Sequence, residues 1–231
     1  STTMPVLGGL AFLKENESIM DIKMRSKDHF VESLRAIRTS VNFLLSSSKY
    51  QNKTFKSFLI SSIHPGEGKT FTSINLARIF ASSGKKVLVV DFDMHKPKVH
   101  KVLDLINDSG NSTNLSEKTS FKITIQKLDE NIDVITSGPV PPNPSELVLS
   151  EKVNALLEFA QKNYEFLFID TPPIGYITDA LVLSTVVDHS LFVMNTKYAN
   201  KKGLKFLEEI VQKSNINSYG IILNGIKNSR W

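Results

Sequence analysis

Gly66-Glu67-Gly68-Lys69-Thr70 sets two glycines, an ammonium group and a hydroxyl within five residues. Glycines let successive backbone N–H groups turn inward around an anion, and a helix beginning at that point adds partial positive charge. Lys69 then carries a full charge suited to the β- and γ-phosphates of a nucleotide, and Thr70 a hydroxyl of the kind that ligates Mg²⁺. Carboxylates follow at Asp91 and Asp93, separated by one residue, and at Asp170, each after an apolar run. A phosphate-bound cation needs such an acid on a strand neighbouring the loop, so the set points to nucleotide binding and phosphoryl chemistry. The match to G-x-x-x-x-G-K-[ST] is incomplete, because Ile63 stands where the first glycine belongs. That departure weakens the pattern and leaves the mechanism intact.

Such a loop works only between a strand and a helix. Phe58-Leu59-Ile60 reads as the strand, and residues 70–83 carry helical apolar spacing at Ile74, Ala77, Ile79 and Ala81. Val87 to Val90, ahead of Asp91, reads as a central parallel strand buried on both faces, and Phe166 to Ile169 repeats that pattern ahead of Asp170. In open α/β sheets ligands bind at the carboxyl ends of strands, where these aspartates emerge. Thr171-Pro172-Pro173-Ile174-Gly175 is a rigid turn able to approach a γ-phosphate before a helix opens at Asp179-Ala180. Further strands are expected at 132–136, 190–195 and 219–224, with a helix around 203–214. Another helix, reaching to about Lys162, is expected to be capped by Ser145 after the proline-set loop 137–147.

From His29 to Ser47, Phe30, Val31, Leu34, Ile37, Val41, Leu44 and Leu45 fall on one helical stripe. Glu32, Arg35 and Arg38 lie beside it at three-residue spacing, able to pair with one another or with a neighbour. Residues 94–128 are polar and weakly patterned, an expected helix-and-loop region near the site. Residues 1–28 read as an N-terminal arm and 29–231 as one domain. Strands alternating with helices throughout call for an α/β fold with a mostly parallel, doubly wound sheet flanked by helices.

Composition bounds these readings. A chain of 231 residues, 41% hydrophobic, can bury one sizeable core. It has no cysteine, which excludes disulfides and Cys-ligated metal. No apolar run is long enough to cross a bilayer, and no signal peptide is visible. The net charge of +5 gathers at Lys96, Lys98 and Lys101 and again at Lys197, Lys201, Lys202 and Lys205. Without interleaved aromatics or a nucleic-acid module, solvated faces or nearness to anionic lipid explain these lysines better than nucleic acid does. The five histidines show no metal-ligand spacing and read as surface or loop residues. No Ser-His-Asp arrangement can be argued.

Taken together, Pro65-Gly66-Glu67-Gly68-Lys69-Thr70, Val89-Val90-Asp91-Phe92-Asp93-Met94 and Phe168-Ile169-Asp170-Thr171-Pro172-Pro173 resemble the Walker A, Walker A′ and Walker B motifs of the bacterial tyrosine kinases. Ser137-Gly138-Pro139-Val140-Pro141-Pro142-Asn143-Pro144-Ser145-Glu146-Leu147 and Glu32-x-x-Arg35-x-x-Arg38, which looks like that family's inter-subunit motif, make the resemblance specific over residues 1–227. It implies a P-loop NTPase fold of the deviant-Walker, MinD-like kind, using ATP and Mg²⁺ to phosphorylate protein tyrosines in capsular or extracellular polysaccharide synthesis and export. Nucleotide would then lie on Pro65 to Phe71, with Asn224 at the adenine. Thr70, Asp91 and Asp170 would serve the metal. Lys69, Asp91, Asp93 and Asp170 would be the catalytic set, with Asp91 and Asp93 dividing metal support and proton acceptance and Asp91 the first choice of base.

The resemblance further implies a ring-like homo-oligomer joined through Glu32, Arg35 and Arg38, and tyrosine-containing protein substrates. A membrane chain-length-regulator partner, fused or separate, would hold the kinase at the cytoplasmic face of the inner membrane. The chain then reads as a soluble fragment of a larger protein, ending at Trp231 ahead of the family's autophosphorylated tyrosine cluster. His95 stands where the family usually has arginine, and Lys98 where some members carry a regulatory tyrosine. The alternative is a regulatory ATPase switch of the MinD/ParA type. Those proteins usually carry a second lysine early in the loop, and Ser62-Ile63-His64-Pro65 has none.

Overall fold

The computed structural model describes residues 3–13, 19–47, 50–117, 120–214, 216 and 218–227. Residues 1, 2 and 14–18 of the expected arm, and Trp231, lie outside the described residues. Within them an eight-stranded sheet runs in the order β1-β8-β7-β2-β6-β3-β5-β4. These strands are β1 (Val6–Ala11), β2 (Lys56–Ser62), β3 (Val87–Asp91), β4 (Ile125–Asp129), β5 (Ile132–Ile135), β6 (Phe166–Asp170), β7 (His189–Asn195) and β8 (Tyr219–Ile226). Every pairing is parallel except β4 with β5.

The apolar runs expected to be buried on both faces divide their residues between two layers. Phe58 and Ile60, Val87 and Val89, Phe166 and Phe168, Leu191 and Val193 join one core. The helices of that layer are α1 (His29–Ser47) and α2 (Lys69–Ala81). Leu34, Ile37 and Val41 of α1 and Ile74, Leu76, Ile79 and Phe80 of α2 meet the sheet there. Short α3 (Val99–Leu103) adds Val99 and Leu103. Asn111 ties α4 (Asn111–Ser116) to the ends of β3 and β5, its Nδ2 donating to Asp91 O at 3.3 Å and its N–H to Thr136 O at 2.8 Å, and α5 (Phe121–Thr124) leads into β4.

Leu59, Leu88, Val90, Leu167 and Ile169 face the other way. They pack on α6 (Pro144–Val148), α7 (Lys152–Asn163) and α8 (Asp179–Ser184), while Phe192 and Met194 meet α9 (Lys201–Lys213). Period-two alternation inside continuous apolar runs is what a parallel sheet with helices on both faces requires.

Four local expectations are corrected. Part of the expected arm is strand β1, which adds an edge parallel to β8 with Leu7, Leu10 and Ala11 buried; Gly8 and Gly9 dilute its signal, since glycine is depleted in strands. Residues 125–129 form β4, an antiparallel edge strand half exposed along its length, so no apolar run announced it. Ser145 lies inside α6, not at its cap. Pro144 takes the first turn and Asn143 the cap position, and the helix stops at Val148 before α7 starts. His189 is buried in β7, stacked on Phe58 with its Nδ1 2.6 Å from Ser218 Oγ.

Candidate active site

Strand order builds the site. β6 lies between β2 and β3, with Asp170 paired in register to Ile60 on one side and to Asp91 on the other. The loop after β2 and the carboxylates ending β3 and β6 therefore emerge side by side at one edge.

The loop enters α2 through Gly68, whose φ of 92° is left-handed. A Cβ there would stand 2.0 Å from Asn224 Nδ2, so only glycine fits. Glu67 turns inward and its carboxylate accepts the His64 N–H at 2.8 Å, while Asn224 Nδ2 donates to the Glu67 carbonyl at 3.0 Å. Both residues brace the loop from behind. Pro65, Gly66, Gly68, Lys69, Thr70 and Phe71 instead face a cleft of about 450 Å³.

Lys69 Nζ lies 3.0 Å from Asp93 Oδ2 and 3.5 Å from Thr70 Oγ1. The Thr70 hydroxyl donates to Asp170 Oδ2 at 2.6 Å. Asp91 is engaged differently. Its Oδ1 accepts the Asp93 N–H at 2.9 Å and its Oδ2 the Val99 N–H at 3.2 Å, so both oxygens fasten the turn leading to α3. Asp93 lines the cleft, with Oδ2 on the lysine and Oδ1 accepting the Lys96 N–H at 3.0 Å.

Three buried carboxylates face one buried ammonium group. Burial, then the charge of Asp170, raises the Asp91 carboxyl from 3.8 to about 8. Burial likewise raises Asp170, against the pull of Lys69. Burial alone would depress Lys69, but Asp170 and Asp93 together outweigh it and hold the ammonium above the ordinary lysine value. The cluster thus lacks positive charge. Asp170 Oδ1 is buried without a hydrogen-bond partner, which suits a divalent cation or its water beside Thr70 and Asp170. The donor set therefore fits Mg²⁺ with a nucleotide.

The structure brings Lys69, Thr70, Asp91, Asp93 and Asp170 together. It keeps Glu32, Arg35 and Arg38 apart on α1. There Arg35 pairs with Glu32 at 2.5 Å and donates to Met24 O at 3.0 Å, and Arg38 Nη1 donates to Ile79 O near the end of α2 at 2.8 Å. Sequence reasoning missed Asp179, buried at the start of α8 with an oxygen 3.1 Å from His95 Nε2. It placed the turn containing Pro173 near the site but missed Val102, Tyr176 and Ile177, which complete the apolar cleft wall. No local spacing links these segments; only the topology does. A larger cleft of about 590 Å³ lies beside Arg78, far from this chemistry, and the Arg78 guanidinium there donates to the Ile19 and Ile22 carbonyls.

The AAA domain family matches residues 56–219. The tyrosine-protein kinase YwqD of Bacillus subtilis is 38% identical over 200 residues, covering 86% of this chain and 82% of its own. Tyrosine-protein kinase Etk of Escherichia coli K12 is 35% identical over 200 residues, and the matched region spans only 27% of its length. The solved Etk kinase domain superposes with a TM-score of 0.86 at 29% identity, covering 99% of this chain and 94% of that one. The chimerical protein CapA2B2 gives 0.86 at 32%, covering 97% and 96%. The septum site-determining protein MinD of Pyrococcus horikoshii, with a TM-score of 0.62 at 22% identity over 76% of this chain and 72% of its own, shares the fold alone.

Proposed function

The chain belongs to the bacterial tyrosine kinase family, and on that premise we propose how its cleft divides the work of phosphorylating protein tyrosines with ATP. The observation that supports the reading is the meeting of Lys69, Thr70, Asp93 and Asp170 at the ends of β2, β3 and β6. ATP with Mg²⁺ supplies the transferable phosphoryl group and neutralises the charge that spreads over it. Backbone N–H groups from Gly66 to Thr70 hold phosphate oxygens, and Lys69 exchanges Asp93 for them. Thr70 and Asp170 would hold the cation and its waters.

Asp93 is the better proton acceptor for a substrate phenol. It stands in the cleft wall with one oxygen on a side chain that leaves when nucleotide binds, whereas both Asp91 oxygens serve backbone amides. Asp91 then acts by holding the turn that aims Asp93. Glu67 and Asn224 contribute as braces of the phosphate loop.

The same reading has partners. A membrane chain-length-regulator segment would recruit the kinase, tyrosine-bearing proteins would be its substrates in polysaccharide synthesis, and copies would join through Glu32, Arg35 and Arg38. Among the described residues no helix is long and apolar enough to cross a membrane. Labelled ATP with Mg²⁺ and a tyrosine-rich peptide tests the reaction. Label on tyrosine supports the kinase. Label released only as free phosphate supports the regulatory ATPase, which MinD-like folding alone does not favour. Lys69→Met should abolish either.

A further inference from the structure

Tyr176 stands on the lip of the cleft that contains Lys69, Thr70 and Asp93, with 66% of its surface exposed. Its place is set by the turn after Asp170. The Ile174 N–H donates to Ser62 O at 2.8 Å, and the Tyr176 and Ile177 N–H groups return to Pro173 O at 3.1 and 3.2 Å. Two prolines stiffen the same turn. The tyrosine is therefore fastened to the end of β2, the strand that feeds the phosphate loop, and its ring meets His64 edge-on at 6.0 Å.

The remaining tyrosines are placed differently. The Tyr164 hydroxyl donates to Asp133 at 2.8 Å, and burial together with that bond pushes its pKa up. Tyr198 is 49% exposed but stands outside the cleft wall. Tyr50 and Tyr219 are half-buried. Among the described residues Tyr176 alone combines exposure with a place in the cleft.

We propose that Tyr176 is a phosphorylation site that this chain modifies within its own cleft, an inference resting on the kinase reading above. The Tyr176 phenol oxygen attacks the γ-phosphorus of a nucleoside triphosphate. The new O–P bond forms as the bond to the β-phosphate oxygen breaks, the nucleoside diphosphate leaves, and the phenol proton passes to Asp93. The product places a charge of about −1.5 to −2 in a cleft also lined by Lys96 and Lys98, which suits a phosphate held by lysines across the mouth.

Three measurements decide it. After incubation with ATP and Mg²⁺, phosphopeptide mass spectrometry should find phosphate on Tyr176, at a rate unchanged by 100-fold dilution. Lys69→Met protein mixed with the wild type should stay unlabelled there. Nitration by tetranitromethane should reach Tyr176 in the free protein and be suppressed by ADP with Mg²⁺, while nitration of Tyr198 is unaffected. An added tyrosine-rich peptide separates the two ideas. If the peptide is labelled and Tyr176 is not, the site assignment falls and the kinase stands; if neither is labelled, both fall. A labelling rate that drops with dilution, or nitration that ADP does not suppress, also overturns the proposal.

Discussion

At the scale of single residues, the two loop glycines differ in what a methyl group would meet. Gly66 has a φ of 84° with open space around its Cβ position, whereas Gly68, at 92°, would press a methyl against the Asn224 amide. Gly66→Ala should cost only the left-handed backbone penalty, about 1–2 kcal/mol. Gly68→Ala should weaken ADP binding further, and Asn224→Ala should recover part of that loss; calorimetric titration of the four proteins checks the order. Asp91 and Asp93 separate in the same way. Asparagine offers one acceptor oxygen where Asp91 uses two, so Asp91→Asn should lower stability by about 1–3 kcal/mol. Asp93→Asn should keep ADP binding and slow tyrosine labelling by about 10²–10⁴. Full labelling by Asp93→Asn would return the role of base to Asp91.

At the scale of elements, the long periodic α1 was readable at both ends, because seven apolar residues on one stripe leave a single way to bury it. Edge strands were not. β1 carries two glycines and β4 is half exposed, and such strands owe their existence to a neighbour's unpaired backbone, β8 or β5, more than to their own pattern. The arginines of α1 show how an element can serve two ends. Arg38 satisfies a carbonyl near the end of α2, worth about 1 kcal/mol, while Arg35 stays on an exposed pair with Glu32. The double variant Arg35→Ala, Arg38→Ala should melt slightly earlier yet remain folded, and sedimentation should show smaller assemblies. An unchanged size in a folded variant would remove α1 from the proposed interface.

At the scale of the whole molecule, buried titratable groups couple stability to pH with opposite signs. His189 is enclosed by Phe58 and Tyr50, and burial, against the pull of Asp188 and helped by Lys56 and Lys53, lowers it from 6.5 to about 4. The unfolded chain takes up that proton first, so this contribution is complete above about 6.5 and is lost as pH falls toward 4. Asp91, raised to about 8, works the other way: the folded protein holds the proton longer, and stability falls as pH rises from 3.8 to 8. Comparing wild type with His189→Phe cancels the Asp91 part. Between pH 7 and pH 4 the wild type should lose about 3 kcal/mol more than the variant in denaturant titrations. Equal losses would show that His189 does not titrate this way. What the chain determined by itself was local: the glycine-lysine-threonine loop between strand and helix, apolar runs ending in aspartate, and the stripe of α1, all short-range patterns with few alternatives. The tertiary structure alone decided that β6 lies between β2 and β3, that Thr70 meets a carboxylate 100 residues away, and which aspartate keeps an oxygen for the cleft. Those outcomes depend on the register between distant strands and on competition for backbone amides, and no window of sequence contains either.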